Sequence, residues 1–211
     1  MLEFGVGTGR LAIPLAASFR RIVGVDISPS MLAMAARDGL PSNVHLVQGD
    51  AASWSTEQRF NVVLCAFNFL LQFTSQELQL AVIRNAATHL SPGGHLIVEN
   101  MHPPLRALEE GERIATLNLP GMDMVIMTQR LDWRSFLVDQ RTLYVKGGTV
   151  RTRQLTLRML LPSEQDLMAH IADLHLVKRM GSWRGTPWRL SIDRRGMANV
   201  ISIYQKGSAP P

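Results

Sequence analysis

The sequence lacks the features of a secreted, membrane-spanning or metal-dependent protein. It has one cysteine, Cys65, so no internal disulfide can form and a reducing compartment is expected. No apolar run approaches the roughly 20 residues of a membrane-spanning helix, and no basic segment precedes an apolar one as in a signal peptide. The six His residues and the single Cys show no metal-ligand spacing. These absences predict a cytoplasmic protein with no bound metal and no membrane partner.

Charged residues are also few, and their signs are unevenly distributed. They make up 18% of the chain against 46% hydrophobic residues, which is typical of a globular protein with a substantial core. The formal net charge is +5, and residues 106–211 hold sixteen Lys and Arg against ten acids. These arginines are scattered along alternating strand patterns, without the aromatic-basic clusters of RNA-recognition modules. A solvated basic face is therefore favoured over a nucleic-acid partner.

The glycine-rich stretch at residues 2–9 is the most informative motif. An apolar start, the acid Glu3 and three glycines at alternate positions predict a buried strand followed by a turn close to a ligand. Thr8 is expected to cap the helix that follows. The spacing differs from dinucleotide and triphosphate loops, because Arg10 stands where a further glycine is needed and no Gly-Lys-Ser/Thr follows. A carboxylate beside the loop would repel phosphate, so Glu3 favours a ligand with a positive charge.

Two further acids follow the next two predicted strands. The strand at 21–26 ends in Asp26, and the strand at 43–48 is followed by Asp50. An acid at the carboxyl end of the second strand is where a ribose diol is bound, because a carboxylate accepts hydrogen bonds from both hydroxyls. Asp26 could instead cap the next helix, but Ser28 can fill that role. Taken alone, Asp50 is a loop acid or a helix cap.

Apolar side chains next to these acids could contact a flat aromatic group. The predicted helix at 29–37 carries Met31 one turn from its start, and Ile27 lies just before it. Methionine adapts to flat surfaces, so Met31 could pack against an adenine, although methionines at helical spacing usually belong to the core.

Two polar residues follow the later strands. The fourth strand, at 60–68, runs into a loop at Asn68, which could equally form an Asx turn. An amphipathic helix at 75–90 and a Ser-Pro-Gly-Gly turn precede the fifth strand at 95–101, which delivers His102 to the same edge of the sheet. His102 could act as a general base because its ordinary pKa is near neutrality. A histidine before two prolines is more often a plain loop residue.

The stretch Glu-x-Gly-x-Gly-x-Gly at residues 3–9, with the acids at 26 and 50, resembles the class I S-adenosylmethionine (SAM)-dependent methyltransferases. The resemblance covers residues 2–206, and it is strongest over the first hundred. It implies SAM as cofactor and S-adenosylhomocysteine as product. It assigns Asp50 to the adenine amine and Asn68 to the border between methyl donor and acceptor. The expected cofactor-binding residues are Glu3, Gly5, Gly7, Asp26, Ile27, Met31, Asp50, Ala51 and Ala66.

The resemblance implies an α/β fold. We expect one domain over residues 1–211, with a Rossmann-like, seven-stranded, mostly parallel sheet and helices on both faces. Alternating patterns at 122–133, 136–146 and 149–161 predict an antiparallel insertion over about 121–161, after the fifth strand. A helix from residue 162 to about 174 and strands near 176–183 and 198–206 complete the sheet. Relatives usually carry a lid before the first strand, and this lid is expected to be missing here.

The predicted activity is transfer of the SAM methyl group to a nitrogen or oxygen of a small molecule or peptide. Within the family, the chain looks most like bacterial methyltransferases of secondary metabolism. An amine acceptor need only arrive deprotonated, whereas a hydroxyl would require a base such as His102. The alternatives are a non-catalytic SAM-binding protein and an RNA methyltransferase that uses the basic second half.

Overall fold

The structure, a computed structural model, describes residues 1–102, 112–188 and 198–207. The described residues form two sheets. The larger one has seven strands: β1 (Leu2–Phe4), β2 (Ile22–Asp26), β3 (Val44–Gln48), β4 (Phe60–Cys65), β5 (Leu90–His102), β10 (Leu174–Met180) and β11 (Ala198–Lys206). Their order across the sheet is β10-β11-β5-β4-β1-β2-β3. β11 runs antiparallel to both of its neighbours, while β1 to β5 are parallel. The predicted seven-stranded, mostly parallel sheet is confirmed.

Helices cover both faces of this sheet. They are α1 (Ala12–Leu15), α2 (Pro29–Ala36), α3 (Gln76–His89) and α4 (Pro162–Ile171), with short 3-10 turns at Ala16–Ser18 and Phe69–Gln72. Alternate residues of the central strands enter two separate cores, because successive side chains of a strand point to opposite faces. Val63 and Cys65 pack with α3 and α4, whereas Leu64 packs with α1 and α2. This two-sided burial explains the continuous apolar runs of the parallel strands.

A second, four-stranded antiparallel sheet follows β5. It consists of β6 (Glu112–Leu117), β7 (Met124–Asp132), β8 (Leu137–Lys146) and β9 (Thr149–Arg158), paired in chain order. The predicted antiparallel insertion is thus confirmed, and it has one strand more than the pattern at 121–161 indicated. β6 is a short strand at the edge of this sheet, and its apolar Ile114 is 70% exposed. Because an apolar side chain stands on its exposed face, the sequence of β6 lacks the apolar–polar alternation expected for a half-buried strand.

A buried polar network joins the end of β9 to the helices of the main sheet. The guanidinium of Arg158 donates to Gln79 Oε1 at 2.6 Å and to Glu164 Oε1 at 2.8 Å. The Gln79 amide in turn donates to the carbonyl oxygens of Leu70 and Arg158. Because Arg158 lies on the insertion and its partners lie on α3 and α4, this network fixes the insertion beside the sheet's carboxyl edge.

Three boundaries differ from the sequence-based expectation. Thr8 does not cap α1, which begins at Ala12 after Leu11 without a side-chain cap, because three left-handed glycines extend the turn before it. β5 begins at Leu90, so the Ser-Pro-Gly-Gly segment is an irregularity within the strand rather than a stop before it. α4 ends at Ile171, and β10 then starts at Leu174 rather than 176.

Among the described residues, no helix is long and apolar enough to span a membrane.

Candidate active site

A cleft of about 600 Å³ lies at the carboxyl edge of the parallel strands, next to the glycine-rich turn. This is the edge at which open α/β sheets bind their ligands, and the volume suits a ligand of cofactor size. All nine residues predicted to bind the cofactor line it: Glu3, Gly5, Gly7, Asp26, Ile27, Met31, Asp50, Ala51 and Ala66. The structure therefore brings these residues together, although their individual roles remain predictions.

Two glycines of the turn at the cleft serve different purposes. Gly5 has φ of +72°, and a Cβ there would lie 2.1 Å from the ring of Phe69. Gly7 also has a positive φ, of +54°, but a Cβ there would meet nothing nearer than 3.9 Å. Gly5 is thus required by packing and backbone conformation, whereas Gly7 keeps the backbone open to the cleft.

Asp26 is held in place by two backbone amides at the end of β2. Its Oδ2 accepts a hydrogen bond from Gly7 N at 2.8 Å, and its Oδ1 accepts one from Ser28 N at 2.9 Å. Ser28 itself caps α2, since its hydroxyl accepts from Met31 N at 3.4 Å. Each carboxylate oxygen has a second lone pair, so Asp26 can still accept two hydrogen bonds from a ligand diol.

Glu3 is a buried acid with unused hydrogen-bonding capacity. Its side chain is 4% exposed, and its Oε2 has no partner among the described residues. Burial raises the pKa of Glu3 to about 8, and a hydrogen bond from the backbone of Ala12 opposes this shift only in part. Such a carboxyl group is stabilised in its ionised form by a positively charged ligand in the cleft.

The far side of the cleft combines an acid with exposed apolar side chains. Asp50 is exposed, and its Oδ1 accepts from Ala52 N at 2.9 Å, which orients the carboxylate in the turn after β3. Ile27 is 68% exposed and Met31 is 40% exposed, although both are apolar. Exposed apolar side chains beside an oriented carboxylate suit a flat heterocycle with an amino group.

The sequence motifs did not indicate several other residues that line the cleft. Phe67 is 48% exposed at the cleft, and the guanidinium of Arg10 lies 4.2 Å from its ring centroid. Phe69 and Phe73 also line the cleft and pack edge to face. Arg153 reaches it from β9 of the insertion. Nothing in the sequence distinguishes Arg153 from the other arginines of the insertion, whereas the aromatic residues after β4 were a usable signal.

The two residues predicted to act in catalysis are not among those that line the cleft: Asn68 stands between two residues that do, and His102 is only partly described. Asn68 is not among the residues that line the cleft; its side-chain oxygen accepts a hydrogen bond from Met101 N, and its own N–H donates to Glu99 O at 3.1 Å. His102 ends β5, where its backbone pairs with Ala198, but its side chain lies outside the described residues. In the part of the chain that the structure describes, no cluster of three or more His, Cys, Asp or Glu side chains could hold a metal ion.

Known methyltransferases resemble this chain in sequence and in fold. A family model described as a methyltransferase domain matches residues 1–94. The cypemycin N-terminal methyltransferase of a Streptomyces species is 32% identical over 192 residues, which cover 89% of this chain and 77% of that protein. The dTDP-3-amino-3,6-dideoxy-alpha-D-glucopyranose N,N-dimethyltransferase of Streptomyces fradiae is 32% identical over 99 residues, 47% of this chain and 38% of that protein. The structure of the CcbJ methyltransferase from Streptomyces caelestis matches with a TM-score of 0.86 and 31% identity, over 99% of this chain and 88% of that one.

Proposed function

Because this chain belongs to the SAM-dependent methyltransferases, we propose that it transfers the methyl group of SAM to an amine nitrogen of a small molecule or peptide. The other product is S-adenosylhomocysteine. One relative, which matches 89% of this chain, is named as an N-terminal methyltransferase, and a second is named as an N,N-dimethyltransferase of an amino sugar. Both names describe amine acceptors.

The charges and shape of the cleft fit SAM. The unpartnered Oε2 of the buried Glu3 requires a hydrogen-bond donor or a positive charge, and SAM supplies an ammonium and a sulfonium. Asp26 would accept the ribose hydroxyls, and Asp50 would accept the adenine amine. Ile27 and Met31 would pack against the adenine ring. The convergence of these three acids on one cleft is the observation that carries the proposal.

In methyl transfer, this chain supplies mainly orientation and exclusion of water. The sulfonium of bound SAM activates the methyl group, so the acceptor nitrogen must be held in line with the carbon–sulfur bond. The rings of Phe67, Phe69 and Phe73 line the cleft next to Gly5 and Ala66, where they can exclude water from the reacting atoms. An amine that arrives deprotonated needs no base for this step.

The test is an acceptor comparison read by mass spectrometry. The protein is incubated with SAM and short peptides that carry a free α-amine, an acetylated α-amine, or an acetylated α-amine with a serine hydroxyl. We expect formation of S-adenosylhomocysteine and addition of methyl groups to the free-amine peptide alone. A dTDP-amino sugar and the corresponding hydroxy sugar form a second matched pair.

Two results would argue against the proposal. Methylation of the acetylated serine peptide or of the hydroxy sugar, without methylation of the amines, would identify an oxygen acceptor. Binding of SAM without turnover on any acceptor would favour a non-catalytic SAM-binding protein.

A further inference from the structure

We propose that Phe67, Trp183 and the buried carboxylate of Glu99 form a subsite that binds the acceptor amine. This inference rests on the proposed N-methyltransferase function and assigns its acceptor side. The three residues come from different parts of the chain, after β4, within β5 and after β10. Phe67 also lines the cleft that holds the cofactor residues, so the subsite adjoins the expected position of the methyl donor.

Glu99 connects the two aromatic residues. Its Oε2 accepts a hydrogen bond from the backbone N–H of Phe67 at 3.2 Å, and its Oε1 accepts one from the indole N–H of Trp183 at 3.1 Å. The Glu99 residue is 6% exposed, and within the described ranges it forms no ion pair. Both of its hydrogen-bond donors are neutral N–H groups, so this buried acid has no cationic partner in that part of the chain and is suited to one that a ligand supplies.

The backbone that presents Phe67 is strained. Phe67 has φ of +53° and Asn68 has φ of +62°, a left-handed conformation that is unfavourable for a bulky residue such as Phe67. The contacts of Glu99 and of the Asn68 side chain with neighbouring backbone groups hold this pair in place. The result is that the Phe67 ring stands 48% exposed at the cleft rather than packing into the core. Strain retained beside a cleft indicates a functional constraint on the position of this ring.

Trp183 is exposed but well positioned. It is 53% exposed, and it lies in a turn closed by a hydrogen bond from Gly181 N to Thr186 O at 2.7 Å and by a contact between the Ser182 and Thr186 hydroxyls at 2.8 Å. A large aromatic side chain that is half in solvent, yet tied by its indole to a buried acid, is suited to contact a ligand.

The Phe67 backbone and the Trp183 indole both contact Glu99, and aromatic rings next to an acid recognise amines. Ring faces attract ammonium groups, and the carboxylate adds a direct electrostatic attraction. Arg10 already covers one face of Phe67, so we expect the amine at the opposite face, with the ring between the two positive charges. The acceptor class is therefore an aliphatic amine whose nitrogen is not acylated.

The same arrangement favours the transfer step. The incoming ammonium first releases one proton to water, and the neutral nitrogen then forms the N–CH₃ bond as the carbon–sulfur bond breaks. The bonding electrons of that bond stay on sulfur, and the positive charge moves from sulfur to nitrogen. A fixed negative charge and two ring faces next to the nitrogen stabilise that developing charge. Glu99 acts here as a positioning residue, since it holds Phe67 and Trp183.

Indole signals of the ¹⁵N-tryptophan-labelled protein test the subsite in the presence of S-adenosylhomocysteine. Trp183→Phe identifies the Trp183 indole resonance, and Trp133→Phe, which changes an exposed tryptophan on the insertion, is the matched control. The probes are a tetra-alanine amide with a free α-amine and its N-acetylated counterpart. We expect the free-amine probe alone to shift the Trp183 resonance. Glu99→Gln, followed by the same resonance, and Trp183→Phe, followed by isothermal titration calorimetry because it lacks the Trp183 indole, should weaken its binding about threefold, the size of a cation–π contact at a partly exposed site.

SAM affinity separates failure of the subsite from failure of the proposed function. Glu99→Gln and Trp183→Phe should bind SAM within about twofold of the wild type, because neither residue lines the cleft. No shift of the Trp183 resonance, an equal shift with the acetylated probe, or unchanged amine binding in both variants would overturn the subsite while leaving SAM binding intact. Loss of SAM binding by the wild type would overturn the subsite and the proposed function together.

Discussion

Replacing Glu3 with Gln should uncouple cofactor binding from proton release. Burial raises the pKa of Glu3 to about 8, so this carboxyl group is protonated in the empty cleft at slightly acidic pH. A cation that binds next to its unpartnered Oε2 stabilises the ionised form. Binding of SAM should therefore release the proton from Glu3 to solvent.

The raised pKa of Glu3 determines how many protons SAM binding releases and how strongly the affinity depends on pH. At pH 6.5, about 1.5 units below this pKa, roughly 97% of the wild-type molecules carry the proton on Glu3. Ionising the group at that pH costs about 2 kcal/mol, which the interaction with the cation must exceed. We expect close to one proton released per SAM bound, and an affinity that rises up to about tenfold per pH unit between pH 6 and 7.5.

Isothermal titration calorimetry in two buffers with different ionisation enthalpies measures this proton release. At pH 6.5, the apparent binding enthalpy of the wild type should differ between phosphate and imidazole by nearly the full difference in their ionisation enthalpies. Glu3→Gln has the same shape but no proton to lose, so its apparent enthalpy should be the same in both buffers. Equal proton release by the two proteins, or none by the wild type, would refute the role of Glu3.

Three further predictions concern stability. Between about pH 4.5 and 8, Glu3 is ionised in the unfolded chain but protonated in the folded protein. The free energy of unfolding of the unliganded wild type should therefore fall by about 1.4 kcal/mol per pH unit relative to Glu3→Gln. Urea unfolding at pH 5 and pH 8 measures this difference. Gly5→Ala should lower stability by at least about 2 kcal/mol, since its Cβ would lie 2.1 Å from the Phe69 ring at a positive φ, and thermal unfolding should show the loss. Arg158→Ala should lower the free energy of unfolding by about 2 kcal/mol, measured with urea, because it leaves Gln79 and Glu164 without their charged donor. A loss below about 0.5 kcal/mol would contradict the role of this network.

The sequence was most informative where chain topology dictates position. Asp26 and Asp50 follow neighbouring parallel strands, and parallel strands bring their carboxyl ends to one edge of the sheet. The acids and the glycine turn could therefore be placed in one cleft from their order along the chain. The left-handed glycines and the buried first strand followed from the same local pattern.

Features that depend on tertiary packing could not be predicted in this way. Phe67 is held at the cleft by a carboxylate 32 residues away, and the Trp183 contact with Glu99 spans 84 residues. Arg153 reaches the cleft because of how the insertion packs against the main sheet. Its place in the alternating sequence of β9 is the same as that of the exposed arginines around it, so the sequence does not single it out. β6 has too few apolar residues for its alternation to stand out.

The affinity of SAM for Asp26→Ala is the sharpest test of cofactor binding in this cleft. Asp26 orients the glycine turn through Gly7 N and should accept two ribose hydrogen bonds, so its loss should weaken binding at least about 30-fold. Asp38→Ala removes the same charge from an exposed site beside Arg37 and should leave affinity within about twofold of the wild type. Equal SAM affinity for wild type and Asp26→Ala, measured by isothermal titration calorimetry, would contradict the placement of the cofactor in this cleft.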